Sequence, residues 1–181
     1  MNIKLSTSEL NRPDISTFRA TPKLPVVLVL ENIRSRSNIG SVFRSADAFL
    51  VDEIILCGYT SQPPHRDIQK TALGATESVK WHYEKECTEA IKHLKKMGYS
   101  TWAIEQTTES VMIEKFEFKK MAPLALVFGN EVDGVSEQSL ALCDGSIEIA
   151  QFGTKHSLNV SVYAGIVMHS ANLRLANSSN E

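Results

Sequence analysis

The sequence predicts an α/β protein built on a parallel sheet with helices on both of its faces. Three observations carry that reading. Short apolar runs alternate with amphipathic segments along the chain. Several of those runs, VVLVL at 26–30 foremost, are apolar without alternation, as strands buried on both faces are. And 181 residues suffice for one full-sized domain with a core but not for two.

Taken in order, residues 1–23 read as a loosely attached N-terminal arm, 24–175 as the domain, and 176–181 as a frayed tail. After VVLVL, a helix is predicted from Asn38, as N-cap, through Leu50, because Ile39, Val42, Phe43 and Ala46 fall on one face. EIILC at 53–57 and VKWHY at 79–83 read as strands. CTEAIKHLKKMG at 87–98 reads as a helix: Ile91, Leu94 and Met97 form its apolar stripe, lysines in the last turn suit the helix dipole, and Gly98 stops it. STWAIE at 100–105, LALVFG at 124–129 and SIEIA at 146–150 complete the strands. Short and long helices are predicted over 136–142 and 158–175. The last is apolar over most of its circumference, which calls for burial on more than one side and points to a second subunit.

Composition excludes several classes. With 43% hydrophobic and 22% charged residues the chain is ordinary globular material. No apolar stretch approaches the roughly 18 residues of a membrane span, and the N-terminus has no apolar secretion core, so the expectation is a cytoplasmic protein without membrane contact. Cys57, Cys87 and Cys143 are odd in number, widely spaced and without a CxxC pair, which argues against disulfides and a bound metal. A net charge of −2 announces no polyanion partner, so any basic surface must be local.

Chemistry is expected in the loops at the carboxyl ends of the strands. The loop after 26–30 brings Arg34 and Arg36, with Arg44 read as one turn into the following helix; each can grip phosphate with paired N–H donors. The loop GNEVDGVS places Glu131 between Gly129 and Gly134, which permits close backbone approach and a sharp turn. It is not GxGxxG, so a dinucleotide-binding site has little support. In FGTKHSLNVSVYAGI, Ser157 and Asn159 open the last helix, and capping explains both as readily as chemistry does. The neighbouring His156 and Ser157 lack an orienting acid, and no GxSxG occurs, so a hydrolase is disfavoured.

Together, NIGSVFRSADAF, LVFGNEVDGVS and IEIAQFGTKHSLNVSVYAGI resemble, in order and approximate spacing, the three signature motifs of the SpoU (TrmH) family of SPOUT-class RNA methyltransferases. KTALGATESVKW at 70–81 resembles its intermediate block, and the likeness covers roughly residues 24–175. The resemblance implies a parallel-sheet SPOUT (α/β-knot) fold with a C-terminal trefoil knot, a homodimer, and methyl transfer from S-adenosylmethionine to a ribose 2′-hydroxyl of structured RNA. It implies that Arg44 is the motif-one arginine, a phosphate clamp and alkoxide stabiliser rather than a base, since guanidinium stays protonated. Asn38, Glu131, Ser157 and Asn159 match the other catalytic positions. Glu131 sits near the cationic methyl donor or holds Arg44 or Asn159 in place. Ile104, Gly129, Ile149 and Leu158 match the cofactor walls, and Arg34, Arg36, Arg66 and Lys70 are expected to dock the RNA backbone.

The family's Ile-Pro-Met is here Ile149, Ala150 and Gln151, which removes a rigid element from the cofactor loop. A SPOUT-like chain that grips RNA without methylating it is the alternative this raises. The lack of a separate RNA-binding domain before residue 24 tilts the expected substrate toward transfer RNA, with ribosomal RNA the alternative.

Overall fold

A computed structural model describes residues 2–6 and 8–176. Of the expected tail at 176–181, residues 177–181 lie outside them. The framework is a seven-stranded sheet with every pairing parallel: β1 (Leu24–Glu31), β2 (Val51–Cys57), β3 (Lys80–Glu84), β4 (Ser100–Ile104), β5 (Val111–Met112), β6 (Leu124–Phe128) and β7 (Gly145–Glu148). Their order across the sheet is β3-β2-β1-β6-β4-β7-β5. β1 therefore lies centrally, with β2 and β6 as neighbours, and its near-continuous burial accounts for the unbroken apolar run.

Successive side chains of β1 alternate between two cores. Val26, Leu28 and Leu30 pack with Ile39, Phe43, Ile68 and Met168 on one face. Val27 and Val29 pack with Ile91 and Leu94 on the other. The first face is covered by α2 (Arg36–Ala48), α3 (Arg66–Ala72), α4 (Ala75–Ser78) and α8 (Val160–Leu175); the second by α5 (Cys87–Lys96) and α7 (Glu137–Leu140). The remaining helices are α1 (Ile15–Ala20) and α6 (Phe118–Met121).

Four expectations are corrected. Asn38 is not the N-cap: α2 begins two residues earlier and is capped by Ser35, whose hydroxyl accepts the Asn38 N–H at 3.3 Å. Arg44 is accordingly two turns into α2, beyond the reach of the N-terminal dipole. Ile149 and Ala150 fall outside β7. The arm is partly docked: α1 buries Phe18 to 5% exposure, Lys23 sits 4.4 Å from its ring centroid, and Arg19 donates to the Glu77 carbonyl.

α2 and α3 approach closely at Gly40, where a Cβ would stand 2.1 Å from Thr71 Oγ1 and 2.3 Å from the Ile68 carbonyl. α8 packs on α2, so the chain leaving β7 returns through residues 149–159 across the sheet, as the expected knotted topology requires. Its outer face keeps Val162 and Ile166 exposed.

Candidate functional site

The carboxyl ends of β4 and β6 converge with the start of α8 around a cavity of about 360 Å³. Ile104, Gly129 and Leu158, three of the residues matched to the cofactor walls, line it together with Ser157, Tyr163 and the 130–135 loop. That loop closes on itself: Asn130 and Gly134 exchange both backbone hydrogen bonds (2.9 and 3.0 Å), and Asn130 Oδ1 accepts the N–H groups of Val132 and Asp133. Gly134 has φ +71°, and a Cβ on Gly129 would lie 2.0 Å from the Gly134 carbonyl carbon. Both glycines are thus required by the turn.

The tightness of that turn holds Glu131 outward against the β1–α2 loop. Its carboxylate accepts the N–H of Arg34 (3.0 Å), the N–H of Ser35 (2.9 Å) and the amide of Asn38 (3.2 Å). Partial burial works to raise its pKa, but those hydrogen bonds outweigh it and hold the carboxyl below its ordinary value. Asn38 Oδ1 in turn accepts the Asn159 amide at 3.1 Å, and Asn159 caps α8 by accepting the Ser161 N–H at 2.9 Å. Glu131, Asn38 and Asn159 therefore form one polar chain that joins the 130–135 loop, the first turn of α2 and the cap of α8. Glu131 holds Asn159 through Asn38, and it meets Arg34 only at the backbone.

Ile149 does not line the cavity but sits at its edge, its N–H donated to the hydroxyl of Tyr163 at 2.9 Å. This bond fixes the entry to the loop in which Ala150 replaces proline. Arg44 is placed elsewhere. At about 100° per residue it faces roughly 120° away from Asn38 around α2, exposed on a separate groove of about 740 Å³ lined by Arg12, Phe18, Leu73 and Ser78. Its side chain makes no hydrogen bond or ion pair among the described residues. Arg34, Arg36, Arg66 and Lys70 are exposed. Arg36 donates to Ser61 (3.1 Å) and Thr71 to the Ser37 carbonyl (2.9 Å), which brings the turn after β2 and the C-terminal end of α3 beside the first turn of α2.

Two cavity residues escaped the sequence reading. Glu105 accepts the Val135 N–H at 3.1 Å and braces the 130–135 loop from the end of β4; a carboxylate directly after an apolar strand was the available signal. Tyr163 reads as core in the sequence, because nothing there reveals where its hydroxyl points.

The cavity suits a nucleoside-bearing cofactor in size, since small-molecule sites begin near 300 Å³, and in character, with Ile104, Phe128 and Leu158 beside main-chain polar groups. The Nε2 of Gln151, in the adjoining loop, is buried without a hydrogen-bond partner among the described residues, a donor that a ligand acceptor would satisfy. Two of the thiols are poor nucleophiles: burial pushes Cys143 up to about 12, and a hydrogen bond with Cys87 together with burial raises Cys57. Among the described residues there is no group of three or more His, Cys, Asp or Glu that could hold a metal, and no helix is long and apolar enough to cross a membrane.

Comparison with known proteins matches residues 25–169 to the SpoU rRNA Methylase family. A 23S rRNA (guanosine-2′-O-)-methyltransferase, RlmB, of Vibrio parahaemolyticus is 32% identical over 163 residues, covering 90% of this chain; the chain spans only 65% of that relative's length. A tRNA (guanosine(18)-2′-O)-methyltransferase of Thermus thermophilus is 33% identical over 153 residues, 84% of this chain and 76% of the relative. Among solved structures, an AdoMet-bound rRNA methyltransferase from Sinorhizobium meliloti superposes with a TM-score of 0.77 at 24% identity, covering 87% of this chain and 60% of its own. That likeness bears out the expected parallel-sheet SPOUT fold.

Proposed function

The chain belongs to the SpoU rRNA methylase family, and from that premise we propose that it transfers a methyl group from S-adenosylmethionine to a ribose 2′-hydroxyl of structured RNA. The observation that carries the reading is the Glu131–Asn38–Asn159 chain at the rim of a nucleoside-sized cavity. When bound, the cofactor supplies an electrophilic methyl on a sulfonium. The protein's part is to seat it and orient the ribose.

Ile104, Phe128 and Leu158 offer apolar walls, and Tyr163 fixes the loop at Ile149. Asn38 and Asn159, locked by Glu131, present amides that orient the ribose without moving, which is what preorganised catalysis asks of them. Ser157, exposed beside them, is free to contact the same sugar. The acceptor is ribose oxygen rather than base carbon, because carbon methylation calls for an activated thiol and no cysteine lines the cavity among the described residues.

Arg44 enters this scheme only if a second copy of the chain brings it, since in its own chain it faces another groove. A homodimer is supported by the apolar face of α8, where Val162 and Ile166 are exposed. Arg34, Arg36, Arg66 and Lys70 form the backbone-docking patch. The 23S rRNA relatives favour ribosomal RNA over the transfer RNA expected from the sequence, and the Thermus tRNA enzyme makes transfer RNA the comparison to run.

Methyl-labelled S-adenosylmethionine incubated with the protein and, separately, total rRNA or total tRNA lacking native ribose methylation should label one pool. Nuclease digestion and mass spectrometry should then return a 2′-O-methylnucleoside. Label on a base, or in neither pool, would overturn the reading. Strong RNA binding without transfer would favour the non-catalytic alternative raised by Ala150.

A further inference from the structure

Beside the cavity, the turn after β2 holds an aromatic ring in the open. Tyr59 is 60% exposed, yet it is fixed at both ends. Its backbone N–H donates to Asn32 Oδ1 at 3.1 Å, and its hydroxyl accepts the Asn130 amide at 2.7 Å. Asn130 is only 7% exposed, also donates to the Asn32 carbonyl at 2.9 Å, and lines the cavity next to Glu131.

The residues around the ring are equally fixed. The buried hydroxyl of Thr60 donates to the Leu30 carbonyl and accepts the Ile33 N–H, both at 2.9 Å. Gly58 adopts φ +63°, and a Cβ there would stand 2.0 Å from Asn32 Oδ1, so the turn tolerates no other residue without shifting. Scattered exposed aromatics are ordinary. A ring pinned through its hydroxyl to a buried amide, with its face left bare, is not explained by core packing.

Charge supplies the occupant. The same turn carries Ser61, which accepts the Arg36 Nε–H at 3.1 Å, and Arg34 emerges one residue beyond Ile33. An exposed aromatic ring on the turn that holds the Arg36 guanidinium, bonded to the Asn32 segment that leads into exposed Arg34, suits an unstacked nucleobase whose flanking phosphates the arginines hold. We propose that Tyr59 is a stacking platform for a single-stranded base of the RNA, adjoining the nucleotide whose ribose enters the site. The inference rests on the RNA reading above, and gives that site a substrate class: a loop or bulge, not a continuous duplex.

The test uses the full chain in filter-binding titrations against total rRNA and total tRNA, each over a range of salt, with single-turnover methylation alongside. Tyr59→Leu should weaken binding about 10- to 100-fold, as loss of one stacked base does. The salt slope should stay unchanged because no phosphate contact is lost, and single-turnover rates at subsaturating RNA should fall in step with the lost binding. Tyr59→Phe keeps the ring and should bind within about two-fold of wild type. Equal losses in both variants would assign the residue to holding Asn130 and overturn the platform. Unchanged binding in Tyr59→Leu would also overturn it while leaving the RNA reading intact, whereas a wild-type protein that binds neither RNA would sink both. If Tyr59→Leu does not fold, Tyr59→Trp decides: its indole emission should be quenched by RNA relative to wild type, and an unquenched indole refutes stacking.

Discussion

Replacing Glu131 by glutamine removes a charge while nearly preserving shape. The carboxylate accepts Arg34 N–H on one oxygen and Ser35 N–H and the Asn38 amide on the other. An amide keeps one oxygen, so its NH2 must face a backbone N–H, and the surviving bonds lose their ionic assistance. Hydrogen bonds to a charged group contribute about 1.5–3 kcal/mol each; since the site is half open and water can reach Arg34, a net loss of about 1–3 kcal/mol is expected. For a chain of this size that lowers the thermal midpoint by about 2–12 °C.

The pH dependence separates charge from shape. Because the folded pKa lies below the ordinary 4.5, the carboxylate's contribution is full above that value and is lost as pH falls through the depressed folded pKa. Melts from pH 7 to pH 3 should therefore show the gap between wild type and Glu131→Gln wide at neutrality and closing below about pH 4.5. Asn38→Ala should be strongly non-additive with it, since the two share a bond. No gap at neutrality, or one constant down to pH 3, would refute the claim that an ionised Glu131 ties the two loops.

Arg44→Lys and Arg44→Ala should each cut single-turnover methylation by about 10² or more while leaving cofactor affinity near wild type, because the side chain is remote from the cavity. Mixing Arg44→Ala and Glu131→Gln chains should give mixed dimers more active than Arg44→Ala alone; calorimetry with S-adenosylmethionine and rates across mixing ratios check both points, and absence of any gain would return Arg44 to its own chain. Tyr163→Phe strands the Ile149 N–H and should weaken cofactor binding about 5- to 10-fold by calorimetry with little change in thermal midpoint. Gly40→Ala drives a methyl into Thr71 and the Ile68 carbonyl, and should cost about 1–3 kcal/mol in urea melts.

The sheet was legible because the periodicity of buried strands is written locally: all six predicted strands exist, shifted by a residue or two. Val111–Met112 was not, since two residues carry no period and only pairing with β7 makes them a strand. The Ser35 cap was missed because SRSN offers several capping side chains, and the choice is settled by Glu131, nearly a hundred residues away. Phe18 gave no warning that the arm would dock, as one apolar residue among polar ones has no pattern. Motif spacing located Glu131, Asn38 and Asn159, but which of them touch, and that Arg44 stands apart, are facts of packing.

The polar chain joins residues separated by 93 and 121 positions along the sequence. Contacts of such long range form late, after the entropy of closing their loops has been offset by the core. During synthesis, the amide of Asn38 is made early and waits for Asn159, almost the last loop before the final helix. A chain stalled, clipped or misthreaded short of α8 thus holds its arginines but no oriented amides, and would grip RNA without being able to modify it. Competence for chemistry becomes a readout of whether the whole polypeptide has arrived at its native connectivity.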